Sequence, residues 1–148
     1  MDTHDTVGQL NGLIETCRDG REGFREASLY VTHPYLKQFF TGASNERSRF
    51  VKQLNSAVRF LGGTPVTSGS LTGTLHRTWI EIRGTLIGQD DESILTECER
   101  GEDAAVEAYR RVLTALSLPA GIHRLVERQA LAIRAMHDKI RQQRDRVA

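Results

Sequence analysis

Apolar side chains recur at intervals of three, four and seven residues along almost the whole 148-residue chain, and this spacing is typical of one face of an α-helix. The first such stripe begins at Val7 and passes through Ile14 and Phe24 to Val31. Corresponding stripes predict five helices, over residues 5–31, 34–61, 71–88, 91–116 and 119–146. No segment alternates apolar and polar residues in the way that a half-buried strand does. The sequence therefore predicts an all-α fold.

Proline and glycine separate the predicted helices. Pro34 and Pro119 stand at helix starts, and the Gly-Gly-Thr-Pro run at 62–65 ends the second helix. The connections near residues 32 and 117 are short, so each joins two antiparallel helices. The long segment 62–90 separates the two hairpins and contains the shorter helix 71–88, which Ser70 would cap. A long crossover between two hairpins is the connectivity of a ferritin-like four-helix bundle, which we expect to occupy residues 1–148 as one domain.

The two predicted hairpins share a sequence pattern at a shift of 81 residues. In the first helix of each hairpin the pattern is Cys-x-x-Gly, followed six positions after the glycine by Glu-Ala. The matched pairs are Cys17 and Cys98, Gly20 and Gly101, Glu26 and Glu107, and Ala27 and Ala108. We interpret this internal repeat as the trace of a duplicated hairpin, which would give the bundle an approximate two-fold axis.

Three runs of the sequence resemble an uncharacterised bacterial family. They are the run from Gly23 to Ala27, the run from Ser70 to Trp79 and the run from Cys98 to Ala104. The resemblance extends over roughly residues 8–146. The family is a domain-of-unknown-function group described as ferritin-like four-helix-bundle proteins, so the resemblance implies this fold and no particular activity.

A metal centre is one interpretation of the charged residues near the apolar stripes. Ferritin-like carboxylate centres take one Glu from each of two helices and a Glu-x-x-His motif from each of the other two. This chain departs from the motif, because Arg49 and Ala130 stand where the two imidazoles are required. The remaining candidate ligands for iron or manganese are Glu46, Glu102, Glu127 and His137. They would form a degenerate site in a metal-binding protein or a metal-dependent oxidase.

A structural polar layer is the interpretation that we favour. The repeat aligns Arg21 with Glu102, and both lie on apolar stripes, so the sequence predicts an Arg21–Glu102 ion pair inside the bundle. A buried pair of this kind can fix the register of the helices at some cost in stability. The predicted layer comprises Arg21, Glu46, Glu102, Tyr109 and Gln129.

Two further features have a structural and a functional interpretation. Cys17 and Cys98 lie on apolar stripes and form no Cys-x-x-Cys motif, so we expect small buried side chains rather than a redox pair. Trp79 continues the stripe of the crossover helix and shares a face with His76, so we expect it to anchor that helix on the bundle. A ligand pocket beneath the crossover is the functional alternative.

Charge nearly cancels over the whole chain, with 20 Lys and Arg against 19 Asp and Glu, but it is segregated. Residues 90–107 hold eight acids and one arginine, a net charge of −7, whereas residues 123–146 hold seven basic residues and three acids, a net charge of +4. We interpret these segments as complementary helices of one hairpin. A basic last helix that binds DNA is disfavoured, because acids interrupt it and no aromatic residues are interspersed.

Composition limits the class of protein. No apolar run approaches the roughly 18–20 residues of a membrane span, and the segment from Met1 to Asp5 lacks the basic and apolar regions of a signal peptide. With only two cysteines, we expect a cytoplasmic protein with reduced thiols. The expected role is structural or protein-interacting, with self-association as a homodimer or a larger oligomer and with no protein partner named by the sequence.

Overall fold

The computed structural model describes residues 3–67, 74–115 and 118–148, and all regular structure within them is helical. The helices are α1 (Thr3–Tyr30), α2 (Pro34–Phe60), α3 (Thr74–Thr85), α4 (Asp91–Ala115) and α5 (Ala120–Val147). The predicted all-α class is therefore confirmed, and the four long helices begin and end within two residues of the bounds drawn from the sequence. The predicted cap Ser70, the helix start at 71 and the helix end at 116 lie outside the described residues.

The four long helices form two antiparallel hairpins. α1 packs along α2, and α4 packs along α5. The hairpins associate through contacts of α1 with α4 and of α2 with α5, while the short helix α3 lies across α1 and α4. This arrangement is a four-helix bundle with a helical crossover.

The turn between α1 and α2 is tied to the start of α4. Pro34 opens α2, and the Nδ1 atom of His33 accepts a hydrogen bond from the Tyr35 amide at 3.1 Å. The Asp91 carboxylate accepts from the amides of Thr32 (2.8 Å) and His33 (3.2 Å). At the other end of α2, Gly62 adopts φ 82°, a left-handed conformation that glycine tolerates and that stops the helix.

The apolar core consists of two clusters along the bundle axis. One is built around Leu10, Leu54 and Val126. The other contains Phe24 and Trp79, whose rings meet edge to face with centroids 5.6 Å apart. The stripes read from the sequence supply both clusters, so the burial of apolar area follows directly from the helical spacing.

Trp79 of α3 is wedged between two glycines on different helices. A Cβ atom built on Gly23 of α1 would lie 2.1 Å from Cζ3 of the indole, and one built on Gly101 of α4 would lie 2.3 Å from Cζ2. Only glycine lets both helix backbones approach the ring this closely. The indole therefore anchors the crossover helix on the bundle and fixes the spacing between α1 and α4.

We predict that Gly23→Ala and Gly101→Ala each lower the free energy of unfolding by about 1–3 kcal/mol, because the new methyl group must displace the indole. The matched control is Gly12→Ala, in the same helix as Gly23, where a Cβ atom meets no neighbour within 4 Å. It should raise stability by up to about 1 kcal/mol through helix propensity. Urea unfolding followed by circular dichroism measures the difference, and emission of the single tryptophan reports displacement of the ring. If all three variants are equally stable, the wedge does not constrain the bundle.

Candidate functional site

A buried ion pair occupies the middle of the bundle. The Nη2 atom of Arg47, on α2, donates to Oε2 of Glu102, on α4. The side chains are 1% and 0% exposed. Since α2 and α4 belong to different hairpins, the pair connects the two halves of the bundle. Removing one partner of such a pair would leave an uncompensated charge in the interior.

The surroundings of Arg47 are shaped to admit a large cation. Gly20 of α1 faces the guanidinium, and a Cβ atom there would lie only 2.7 Å from Nη1 of Arg47. On another side, Cζ of Arg47 lies 5.2 Å from the centroid of the Phe24 ring, within the range of a cation–π contact. Gly20 thus leaves room for the guanidinium, and the face of the Phe24 ring helps to stabilise its positive charge.

Burial and pairing have opposite effects on the two charges. Burial disfavours the charge on Arg47, but the Glu102 carboxylate outweighs this effect and raises the pKa of the guanidinium. Burial raises the pKa of Glu102 and Arg47 opposes that shift, with the nearby His137 also favouring the carboxylate. The guanidinium therefore stays charged, and its charge is what permits a carboxylate at this depth.

The predicted Arg21–Glu102 pair is wrong. Arg21 lies near the surface of α1, where its Nε atom donates to Glu22 at 3.2 Å and its side chain is 30% exposed. The residue before it, Gly20, faces the interior, and one helical step rotates the next side chain by about 100°. The partner is Arg47, whose spacing of four from Ala43 and three from Phe50 places it on the buried stripe of α2. That spacing indicated that Arg47 is buried, although it did not identify its partner.

A chain of hydrogen bonds lies beside the ion pair. The Tyr109 hydroxyl donates to Oε1 of Gln129 at 2.8 Å, and the Cys17 sulfur lies 3.0 Å from the same hydroxyl. Nε2 of Gln129 donates to Oε1 of Gln53 at 2.9 Å. The chain therefore joins α1, α2, α4 and α5 at one level. The structure thus places Glu102, Tyr109 and Gln129 inside the bundle together with Arg47, and an exposed residue, Gln53, ends the chain at the surface of α2; neither Arg47 nor Gln53 was expected from the sequence.

The four candidate metal ligands do not converge. Glu127 is exposed on the outer surface of α5, whereas Glu46 is half-buried on α2. His137 is buried, and its Nε2 atom lies 2.6 Å from Oδ1 of Asp103. Within residues 3–67, 74–115 and 118–148 no three His, Cys, Asp or Glu side chains are grouped so as to hold a metal ion. The Arg47 cation bound to Glu102 also opposes a second cation there, so these residues do not fit a carboxylate-bridged di-metal centre.

The acidic and basic segments neutralise each other within the second hairpin. Nε of Arg141 lies 3.3 Å from Oε2 of Glu99, and Arg144 binds the other oxygen of the same carboxylate. The His137–Asp103 contact also joins α5 to α4. Part of the positive charge of α5 is therefore directed at α4 rather than at an external partner.

The crossover helix is held on α1 by polar contacts as well as by Trp79. Nδ1 of His76 lies 2.7 Å from Oδ1 of Asp19, and Nη2 of Arg83 donates to Oε1 of Glu26 at 2.8 Å. Burial raises the pKa of Asp19, and the hydrogen bond from His76 opposes this shift. His76 thus contacts an acid of the helix that α3 covers.

We predict that Arg47→Ala and Glu102→Ala each lower the free energy of unfolding by about 3–5 kcal/mol, because each leaves the partner charge buried and unpaired. The double variant Arg47→Met with Glu102→Leu should recover most of this loss, since apolar side chains replace both charges. Arg110→Ala, which breaks the exposed Arg110–Glu107 pair, is the control and should change stability little. Urea denaturation measures all four. A double variant no more stable than the single ones would contradict the role of charge pairing.

We predict that neither cysteine reacts with a thiol reagent in the native state. Both thiols are free and fully buried, and burial raises the pKa of Cys17 to about 11 and that of Cys98 further. The higher pKa disfavours the reactive thiolate, so about one Cys17 side chain in a thousand is ionised at pH 8. Labelling with a chromogenic disulfide should proceed only as fast as the protein opens. Leu29→Cys, at an exposed position, is the control and should add one fast-reacting thiol. Rapid labelling of the native wild type would contradict the burial.

Comparison with known proteins places this geometry in context. The sequence matches the family described as Domain of unknown function, DUF2383, over residues 5–115. The fold is similar to the crystal structure of a C-terminal deletion mutant of Dps from Mycobacterium smegmatis, with a TM-score of 0.80 and 13% identity over 95% of this chain and 98% of that chain. A search of curated proteins gave no match, and none of the helices in the described residues is long and apolar enough to cross a membrane. The ferritin-like four-helix bundle predicted from the sequence is confirmed, and the chain belongs to the DUF2383 family.

Proposed function

We propose that this protein is a cytoplasmic bundle with a structural or protein-interaction role, which it performs as a homodimer or a larger oligomer rather than as a catalyst. The observation that carries the proposal is the Arg47–Glu102 pair. In the middle of the bundle, at the level where a ferritin-like fold would build its carboxylate centre, a guanidinium is bound to the fully buried glutamate.

The position of the pair supports a structural use. Arg47 and Glu102 come from different hairpins, and the hydrogen-bonded chain of Cys17, Tyr109, Gln129 and Gln53 lies next to them. Buried polar groups of this kind are best known for fixing the register of packed helices. A bundle whose two hairpins are held in one register presents a rigid outer surface, and rigid surfaces favour association because little freedom is lost on binding.

The outer surface supports self-association. Large apolar side chains are exposed on several helices, among them Phe60 (81%), Ile80 (52%) and Leu131 (64%). Burying such side chains against a second copy would remove apolar area from water.

A single metal ion is the second candidate, and one observation favours it. Oε1 of Glu46 and Oε1 of Glu102 are buried and have no hydrogen-bond partner among the described residues. The charge of Glu46 acts on the Glu102 carboxyl, so the two side chains lie near each other. Iron or manganese bound by the two glutamates would satisfy both oxygens, although the Arg47 charge opposes it and no third such side chain is grouped with them in the described part of the chain. The protein would then be a metal-binding protein or a metal-dependent oxidase.

One preparation tests both candidates. We expect protein purified without chelator, and then incubated with ferrous or manganous ion, to contain far less than one metal per chain by elemental analysis. Size-exclusion chromatography with light scattering should show a dimer or a larger oligomer. A monomer at every concentration would contradict the proposed function. Stoichiometric metal that is lost in Glu46→Gln and Glu102→Gln, but kept in the exposed control Glu127→Gln, would establish the second candidate instead.

A further inference from the structure

The outer face of the α4–α5 hairpin carries an apolar groove. It is lined by Val106 and Leu113 of α4 and by Ala130 and Leu131 of α5, and its volume is about 280 Å³. Leu131 projects beside the groove and is 64% exposed. The same surface therefore carries both a protruding leucine and an apolar groove that the leucine of a second copy could enter.

Two charges of opposite sign stand on either side of Leu131. Glu127 and Arg134 both line the groove and are exposed. Neither forms an ion pair within the part of the chain that the structure describes, whereas some other charges of this hairpin are paired, such as Arg110 with Glu107 and Arg141 with Glu99. The Arg110 side chain also lines the groove, but Glu107 already holds it. The groove is therefore flanked by one free anion and one free cation.

The order of these residues makes the face complementary to itself. The midpoint between Glu127 and Arg134 along α5 lies between Ala130 and Leu131. Each of the two charged residues is about 5 Å from this midpoint, in opposite directions along the helix. If two α5 helices cross antiparallel at that point, Glu127 of each copy meets Arg134 of the other. The midpoint between His123 and Asp138 is the same, so His123 of each copy would meet Asp138 of the other, farther from the crossing point. A two-fold interface requires this property, because each residue i that contacts j must be matched by j contacting i.

We propose that the α4–α5 groove is the surface through which two copies of this chain dimerise. The α5 helices cross antiparallel on a two-fold axis that passes between Ala130 and Leu131. Leu131 of each copy enters the groove of the other, with two Glu127–Arg134 ion pairs at the rim. This inference rests on the self-association proposed above and specifies the face that performs it.

Charge reversal tests the antiparallel pairing. Glu127→Arg and Arg134→Glu each place like charges opposite one another twice in the dimer, so each should raise the dissociation constant about tenfold or more. The double variant should restore the constant to within about threefold of the wild type. Mixing the two single variants should also restore association, as a heterodimer, because each copy then supplies the charge that the other lacks. Sedimentation equilibrium over a concentration series measures all four samples.

A second pair of variants tests the apolar contact. Leu131→Asp should raise the dissociation constant by more than about tenfold, because a carboxylate would enter the groove. Leu29→Asp alters a leucine of nearly equal exposure on α1, which does not line the groove, and should leave the constant unchanged. Circular dichroism checks that all variants keep the helical content of the wild type, as expected for exposed positions.

The outcomes separate this inference from the proposed function. A wild type that self-associates while all the α5 variants behave like it would overturn the groove as the interface and leave the proposed function standing. Loss of association in both single variants without rescue in the mixture would overturn the antiparallel register. A wild type that stays monomeric overturns both.

Discussion

The interaction on which the rest of the structure depends is the contact between Arg47 and Glu102, because neither charge is tolerable at that depth without the other. A buried guanidinium restricts what its neighbours can be. Gly20 must have no side chain, Phe24 must present its face, and α4 must bring Glu102 to one particular level. A shift of either hairpin by one helical turn would separate the charges by about 5 Å. The pair thus selects one register, which apolar packing alone specifies less sharply.

The same need for space explains the glycines of the first and fourth helices. Gly20 admits Arg47, while Gly23 and Gly101 together admit Trp79. The apparent repeat matches Gly20 with Gly101, yet the two glycines receive different side chains from different helices. A local requirement for a large side chain against a helix backbone accounts for both glycines, so their match is explained by packing as well as by a duplicated hairpin.

The helices were predictable, because each long helix buries a continuous stripe and such stripes are visible in one sequence. Glu102, Tyr109 and Gln129 could be assigned to the interior for the same reason. The partner of Glu102 could not be deduced, since it lies in the other hairpin and the relative register of two hairpins is a property of packing. The alignment of Arg21 with Glu102 followed the repeat, whereas Arg47, three and four residues from buried neighbours, carried the better signal. Motif spacing alone suggested Glu127 as a metal ligand, and the structure places this residue on the exposed surface of α5.

Charge balance links the core of the bundle to its surface. The whole chain has a net charge of +1, but this value results from cancellation between an acidic α4 and a basic α5. Contacts such as Glu99 with Arg141 satisfy part of that charge within the hairpin. Glu127 and Arg134 are among the charges that have no ion pair within the described residues, and their spacing is one that a second copy of the same helix can match. Arg134 stands seven residues before Arg141 and therefore lies on the same side of α5. At its level, however, α4 lines the groove with Val106, Arg110, Leu113 and Thr114 and supplies no acid there, so the charge of Arg134 is left for a second copy to pair.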